Sequence, residues 1–392
     1  MNRMIVAAVG VGLAFAVANP GLNLLAQTSG STPQNTFRLP ASSTAPKAPT
    51  EVRPDRTVTF RLLAPDAMQV DLLLDPGSRQ PMTKSADGVW TLTVGPLTPE
   101  IYRYEFVTDG VFLDDPSNPN VSIGRSRHQS VLDIPGSPAR FDEWQDVPHG
   151  STQDLEYQSS VMKTRRHVVI YVPPQYESER VRRFPVLYLR HGNGDMEGGW
   201  STVGRAGIIL DNLLAQRKAV PMLIVMPNGY PAHGEGSTPE GTEETARELM
   251  TDIIPLVERT YRVVPGADNR AIAGLSMGAG QAFLTGLRHT DMFAYVGAFS
   301  SGAISSVGFD LHAAVPELTG KTVRKPRLLF LSCGTEDPRY PGYLQVMDTL
   351  KANGVHYEWF STPGAHEWKV WRHSLADMLP KLFQPTSLTS HS

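Results

Sequence analysis

Between residues 51 and 136, apolar side chains recur at every second position in short runs. Val58, Phe60 and Leu62 alternate with Thr59 and Arg61, and Val70, Leu72 and Leu74 follow the break at Ala64-Pro65-Asp66-Ala67. Trp90, Leu92 and Val94 come next, then Tyr102, Tyr104 and Phe106 ahead of a Thr108-Asp109-Gly110 turn. A period of two turns one face of each run toward a core. Short alternating runs separated by Pro, Gly and Asp predict a small all-β, immunoglobulin-like sandwich over 51–136. Residues 137–150, with Pro138 and Pro148, read as a linker.

From 151 onward the pattern changes to continuous apolar runs alternating with helical periodicity. Strands are predicted at 166–172, 186–189, 222–226, 270–273, 295–299, 327–331 and 357–360, the short unbroken ones as buried central strands. Helices are predicted at 206–214, from 243 to 260 with Leu249, Ile253, Leu256 and Val257 on one face, from 278, at 343–352 and at 368–379. Strands alternating with helices predict an α/β domain over 151–385 with a mostly parallel sheet and right-handed crossovers. A tail of residues 386–392 follows.

Composition adds three points. The 32 prolines and 34 glycines favour a loop-rich protein with short strands over a helical bundle. A net charge of −3 without long runs of one sign argues against a nucleic-acid partner or a polybasic membrane patch. Cys333 is the only cysteine, so no intramolecular disulfide can form. At the N-terminus, Arg3, the apolar stretch MIVAAVGVGLAFAVA at 4–18 and Ala16-Val17-Ala18 read as a signal peptide within 1–26, too short and too soon broken by Pro20 for a membrane span. Residues 27–50, rich in Ser, Thr and Pro, read as a disordered leader. Export without disulfides points to a secreted or periplasmic bacterial protein, with no membrane association after signal cleavage.

The candidate chemistry centres on Gly274-Leu275-Ser276-Met277-Gly278, entered by an apolar strand and left by a small-residue helix. This is the context of a nucleophile elbow, where the sharp strand-to-helix turn exposes a serine and needs small neighbours. In α/β-hydrolase order the acid and then the base follow on loops after later strands. The loop Ser332-Cys333-Gly334-Thr335-Glu336-Asp337-Pro338 offers Glu336 and Asp337; Asp337 is preferred because Gly334 and Thr335 must first turn the chain out of the sheet. His366, on a post-strand loop opened by Pro363 and Gly364, stands where the general base belongs. An oxyanion hole takes the N–H of the residue after the nucleophile, Met277, and one from an early post-strand loop; in His191-Gly192-Asn193-Gly194-Asp195 the candidate is Asn193. Neither His191 nor His366-Glu367…His373 has metal-ligand spacing, so neither a metal nor a cofactor is expected. Trp200, Trp368 and Trp371 could wall an aryl pocket or pack in the core, and the polar loop 228–243 could border the cleft.

These motifs carry a resemblance. Residues 151–383 resemble the putative-esterase family, which includes feruloyl esterases, acetyl-xylan esterases of carbohydrate esterase family 1, enterochelin esterases and mycolyltransferases. The matching stretches are VLYLRHG at 186–192, Gly204-Arg205-Ala206 with Leu210-Asp211-Asn212-Leu213, Met226-Pro227-Asn228-Gly229, AIAGLSMG at 271–278, CGTED at 333–337 and GAHEWKVWR at 364–372. Arg190, where the family more often has an apolar residue, could alter the acyl pocket; Ala279 stands where it often has Gly. The front domain resembles the early-set, carbohydrate-binding family 48 module through Val58-Thr59-Phe60-Arg61, Gly88-Val89-Trp90 and Tyr102-Arg103-Tyr104. The resemblance implies a serine ester hydrolase with Ser276, Asp337 and His366 as triad. Its substrate would be a feruloyl ester on plant polysaccharide or oligosaccharide. An acetyl-xylan or siderophore ester, or a glycan-binding role on an inactive hydrolase fold, are the alternatives.

Overall fold

A computed structural model describes residues 49–306, 309–316 and 324–384. The predicted signal peptide, most of the leader and nearly all of the tail lie outside the described residues. Among those described, no helix is long and apolar enough to cross a membrane.

The front part holds strands β1 (Glu51–Val52), β2 (Val58–Leu63), β3 (Val70–Asp75), β4 (Arg79–Pro81), β5 (Thr83–Lys84), β6 (Val89–Val94), β7 (Glu100–Thr108), β8 (Val111–Leu113), β9 (Val121–Ile123) and β10 (His128–Ile134). They form two antiparallel sheets, β1-β2-β6-β5 and β4-β3-β7-β10-β9, with β8 on β7. The alternating positions meet between them: Val58, Phe60, Val70, Leu72, Tyr104, Phe106 and Ile134 are fully buried in one cluster. The period-two signal therefore describes burial of the inner faces. Ile101 and Val131, on the other face of the second sheet, pack into the core of the domain that follows.

That domain has one eight-stranded sheet. Strands β11 (Ser151–Gln158), β12 (Arg165–Val172), β13 (Val186–Arg190), β14 (Leu223–Pro227), β15 (Arg270–Leu275), β16 (Tyr295–Phe299), β17 (Leu328–Gly334) and β18 (Glu358–Thr362) lie in the order 11-12-14-13-15-16-17-18. From β14 to β18 every pairing is parallel, and β11 and β12 add an antiparallel edge. Helices α1 (Ala206–Ala215), α2 (Pro239–Glu248), α3 (Ile254–Thr260), α4 (Ser276–Arg288), α5 (Tyr340–Ala352) and α6 (Trp368–Met378) accompany it. Their apolar faces close two cores, one on each side of the sheet. This is the α/β-hydrolase architecture behind an immunoglobulin-like sandwich.

Two expectations change. The helix foreseen over 243–260 is interrupted by a π-type turn at Leu249–Ile253, ahead of Pro255, which has no N–H to continue the ladder. Strand β11 was not foreseen, because STQDLEYQ is polar and mostly exposed at the sheet edge.

The sandwich, residues 137–150 and the α/β domain pack as one compact unit. Asn212 Nδ2 donates to Phe141 O and Glu143 O, each at 2.9 Å, and Asp211 accepts the Gly150 N–H and pairs with His149. The fully buried Arg372 of α6 donates to Asp142 at 2.7 Å and to Glu100 of β7.

Candidate active site

Strand β15 ends at Leu275 and α4 begins at Ser276, leaving no residue between them to turn the chain. Ser276 makes the turn itself, with φ +51°, in the left-handed region that L-residues seldom enter. The two flanking glycines are needed for space. A Cβ on Gly274 would lie 2.5 Å from Gly278 O, and one on Gly278 would lie 2.4 Å from His191 O.

Strands β17 and β18 end side by side, with Gly334 in register with Thr362. Their loops are laced together: Thr335 N–H donates to Thr362 O at 3.0 Å, and Glu336 N–H to Gly364 O at 3.1 Å. Asp337 turns inward and is buried, whereas Glu336 is exposed. His366 Nδ1 lies 2.7 Å from Asp337 Oδ2, and its Nε2 lies 2.9 Å from Ser276 Oγ. A carboxylate can only accept, so Nδ1 carries the proton and Nε2 accepts from the serine hydroxyl. Burial pushes the Asp337 carboxyl up, but the His366 hydrogen bond and the Arg339 N–H outweigh it and hold Asp337 down at about 2. Trp371 packs edge-on against the His366 ring, centroids 4.9 Å apart.

Beyond β13, residues 191–195 run past the serine. Burial drives His191 down to about 4, so its ring is neutral at physiological pH; it donates through Nδ1 to Gly192 O and accepts the Gly229 N–H at Nε2, both at 2.8 Å. With both nitrogens engaged, His191 shapes the loop. Gly194 N–H donates to Tyr230 Oη at 2.7 Å and Asp195 N–H to Gly192 O at 3.3 Å, which leaves the Asn193 N–H without a protein acceptor among the described residues. Met277 lies in the first turn of α4, where backbone N–H groups have no intrahelical partner. Asn193 and Ser276 together border two cavities.

The larger, about 470 Å³, is walled by His366, Trp368 and Trp371 on one side and by Arg103, Arg127 and Gln129 of the sandwich on the other. The second, about 380 Å³, is walled by Met277, Ala303 and Arg339, with Ser237 and Thr242 from the region that was expected to border the cleft. Trp200 is a correction: it is fully buried, its indole donates to Arg190 O at 2.9 Å, and it packs beneath Trp368, so it presents no face to a ligand. Arg190 is also enclosed, its guanidinium spent on Gln281 Oε1 and Thr245 O, and it braces α4 from below without walling the cleft. No group of three or more His, Cys, Asp or Glu suited to a metal ion occurs among the described residues.

Sequence reasoning missed the sandwich's share of this cleft. Arg103 appeared there only as part of a module motif, and nothing near it in the chain signals the serine. Asp195, also in the cleft, is buried beside Arg103; burial pushes its carboxyl up to about 6 against the pull of that guanidinium.

A serine hydroxyl hydrogen-bonded to an imidazole that is itself held by a buried carboxylate, with backbone N–H groups beside them, is an arrangement that can support acyl transfer. Residues 159–319 match the putative esterase family, and residues 49–121 match carbohydrate-binding module 48, the isoamylase N-terminal domain. An endo-1,4-beta-xylanase/feruloyl esterase of Xylanibacter ruminicola is 34% identical over 336 residues, covering 83% of this chain and 44% of that protein. The chain thus spans less than half the length of that curated relative. A ferulic acid esterase of Anaeromyces mucronatus, solved with ferulic acid, is 26% identical with a TM-score of 0.54, covering 62% of this chain and 93% of that one. The enterobactin esterase of Shigella flexneri shares the fold over 84% of this chain and 93% of its own, with a TM-score of 0.61 at 18% identity. By its motifs, its sheet and these likenesses, the α/β domain is similar to the putative esterase family over residues 159–319, and the sandwich ahead of it to carbohydrate-binding module 48.

Proposed function

We propose that this protein is an exported serine esterase that releases hydroxycinnamate, ferulate above all, from plant cell-wall polysaccharide or its oligosaccharides. The observation that carries this reading is the unbroken hydrogen-bond chain from Ser276 through His366 to Asp337, set on a turn that holds the serine at φ +51°. The feruloyl esterases among its relatives support the acyl group, and Trp368 and Trp371 at the cleft offer apolar surface to an aryl ring. Export rests on the signal pattern at 1–26.

In this reading Ser276 Oγ attacks the ester carbonyl carbon while its proton passes to His366 Nε2. The carbonyl electron pair moves onto oxygen, which the Asn193 and Met277 N–H groups stabilise. The tetrahedral intermediate collapses, breaking the bond to the alcohol oxygen, and the imidazolium returns its proton to that leaving group. Water then repeats the sequence on the acyl-enzyme, releasing the acid and restoring the Ser276 hydroxyl. Asp337 keeps the imidazole in the required tautomer and offsets its positive charge.

The test compares methyl ferulate, acetylated xylan and enterobactin on wild type and Ser276→Ala, with fluorophosphonate labelling of both. Expected are labelling of wild type alone, a loss of kcat of about 10³-fold or more in the variant, and faster turnover of feruloyl than of acetyl or siderophore esters. Faster turnover of either other ester would overturn the feruloyl assignment, and wild-type activity in Ser276→Ala would overturn the mechanism.

A further inference from the structure

We propose that the sandwich is a working part of the catalytic site: its turn between β9 and β10, with Arg103 of β7, holds the loop that presents the Asn193 N–H. The inference rests on the reading of Asn193 as an oxyanion donor. That loop, Gly192-Asn193-Gly194, is fixed by the α/β domain at its buried start, where His191 holds Gly192 O, but its tip has little of its own to define its position. Asn193 and Gly194 are exposed, and Gly194 sits at φ +91° with no neighbour within 4 Å of where a Cβ would be. Two glycines in three residues leave a backbone with many accessible conformations.

The grip on it comes from the sandwich. Arg125 N–H donates to Gly194 O at 2.9 Å, and Gly124 forms an antiparallel bridge with Asp195. The Arg125 guanidinium lies 4.3 Å over the ring of Tyr230, whose hydroxyl accepts the Gly194 N–H from the other side. Arg103, anchored by Asp75 at 2.7 Å, brings its Nη1 to 3.6 Å from Asp195 Oδ1. Both residues after Asn193 are thus fastened to the sandwich by main-chain and charged contacts. A module that only captured glycan would need none of these. The contact is also tight, since a Cβ on Gly124 would meet Gly194 O at 2.8 Å and Arg127 O at 2.6 Å.

Arg103, Gly124 and Arg125 are therefore positioning residues, and their effect should extend to esters that carry no sugar. The experiment measures kcat and KM for p-nitrophenyl acetate in the full chain bearing Arg103→Ala, Arg103→Lys or Gly124→Ala. Arg61→Ala, which removes an ion pair with Glu51 on the sandwich's other sheet, serves as the control. Displacing one oxyanion donor without deleting it should lower kcat about tenfold in Arg103→Ala and Gly124→Ala, less than the roughly 10²-fold or more that follows outright removal. KM should stay within about twofold; melting temperature should stay close to wild type in Arg103→Ala and fall in Gly124→Ala, whose added Cβ overpacks two backbone oxygens, with partial recovery of kcat in Arg103→Lys and none of these changes in Arg61→Ala. Wild-type kcat in both Arg103→Ala and Gly124→Ala, or losses confined to KM or to polymeric substrate, would overturn the proposal. Should Arg103→Ala fail to fold, Gly124→Ala and Arg103→Lys give the same reading. Persistent activity in Ser276→Ala would instead count against the serine mechanism itself, so the two failures are separable.

Discussion

Gly278→Ala tests the physical reason for the glycine that follows the nucleophile. The added Cβ would lie 2.4 Å from His191 O and 2.7 Å from both Arg190 O and Arg190 Cβ. Two of these three are main-chain atoms at the end of β13, so no flexible side chain can swing away. Real Cβ contacts essentially never fall below 3.0 Å, so the backbones must separate by at least about 0.6 Å. Either the start of α4 retreats with the Met277 N–H, or the 191–194 segment retreats with the Asn193 N–H; both outcomes spread the two donors. Since a 1 Å misplacement can cost about 10²-fold, a loss of about ten- to a hundredfold in kcat is expected, or about 1.4 to 2.7 kcal/mol of transition-state stabilisation. Overpacking should also lower global stability by about 1–3 kcal/mol. The assay is steady-state hydrolysis of methyl ferulate alongside thermal melting, with Gly198→Ala as comparator. Gly198 has φ −76° and nothing within 4 Å of its Cβ position, so that variant should match wild type. A Gly278→Ala enzyme with wild-type kcat would refute the argument, because it would show that the elbow and β13 can part without disturbing the chemistry.

Two further outcomes are expected. Asp337→Asn presents an amide that can donate to His366 Nδ1, moving the ring proton to Nε2, where it can no longer accept from Ser276; kcat on methyl ferulate should fall by about 10⁴-fold with the melting temperature little changed. Asp195 should give stability a distinctive pH dependence. Its folded value is raised from 3.8 to about 6, so the folded state keeps the proton longer, and stability is lost as pH rises from about 4 to about 6 and then levels off. Relative to Asp195→Asn, wild type should lose about 3 kcal/mol across that window in denaturant titrations at pH 4 and pH 7; parallel profiles would contradict a raised Asp195.

The central strands were legible because β13, β14 and β16 are buried on both faces, which leaves an unbroken apolar run in the chain. The edge strand β11 was not, since a strand exposed to water needs no apolar signature and is defined by its pairing with β12. The proposed helix after β14 had the right periodicity, but Pro255 interrupts its ladder, and periodicity does not register hydrogen bonding. Ser276, Asp337 and His366 could be placed because chain order and post-strand loops are local features. The three tryptophans could not be sorted from sequence: Trp200 lies under Trp368, and burial of one ring by another is a long-range fact.

Sequence alone thus determined the two-part fold, the elbow and the order of the three proposed triad residues, because each depends on periodicity or on glycine at a particular turn. Tertiary structure decided which carboxylate reaches the imidazole, which tryptophans meet the cleft, and that Arg103 and the turn after β9 share the serine's cavity. Arg103 and Asp195 stand 3.6 Å apart yet far apart in the chain, and no local pattern records a contact created when two separately patterned units pack together.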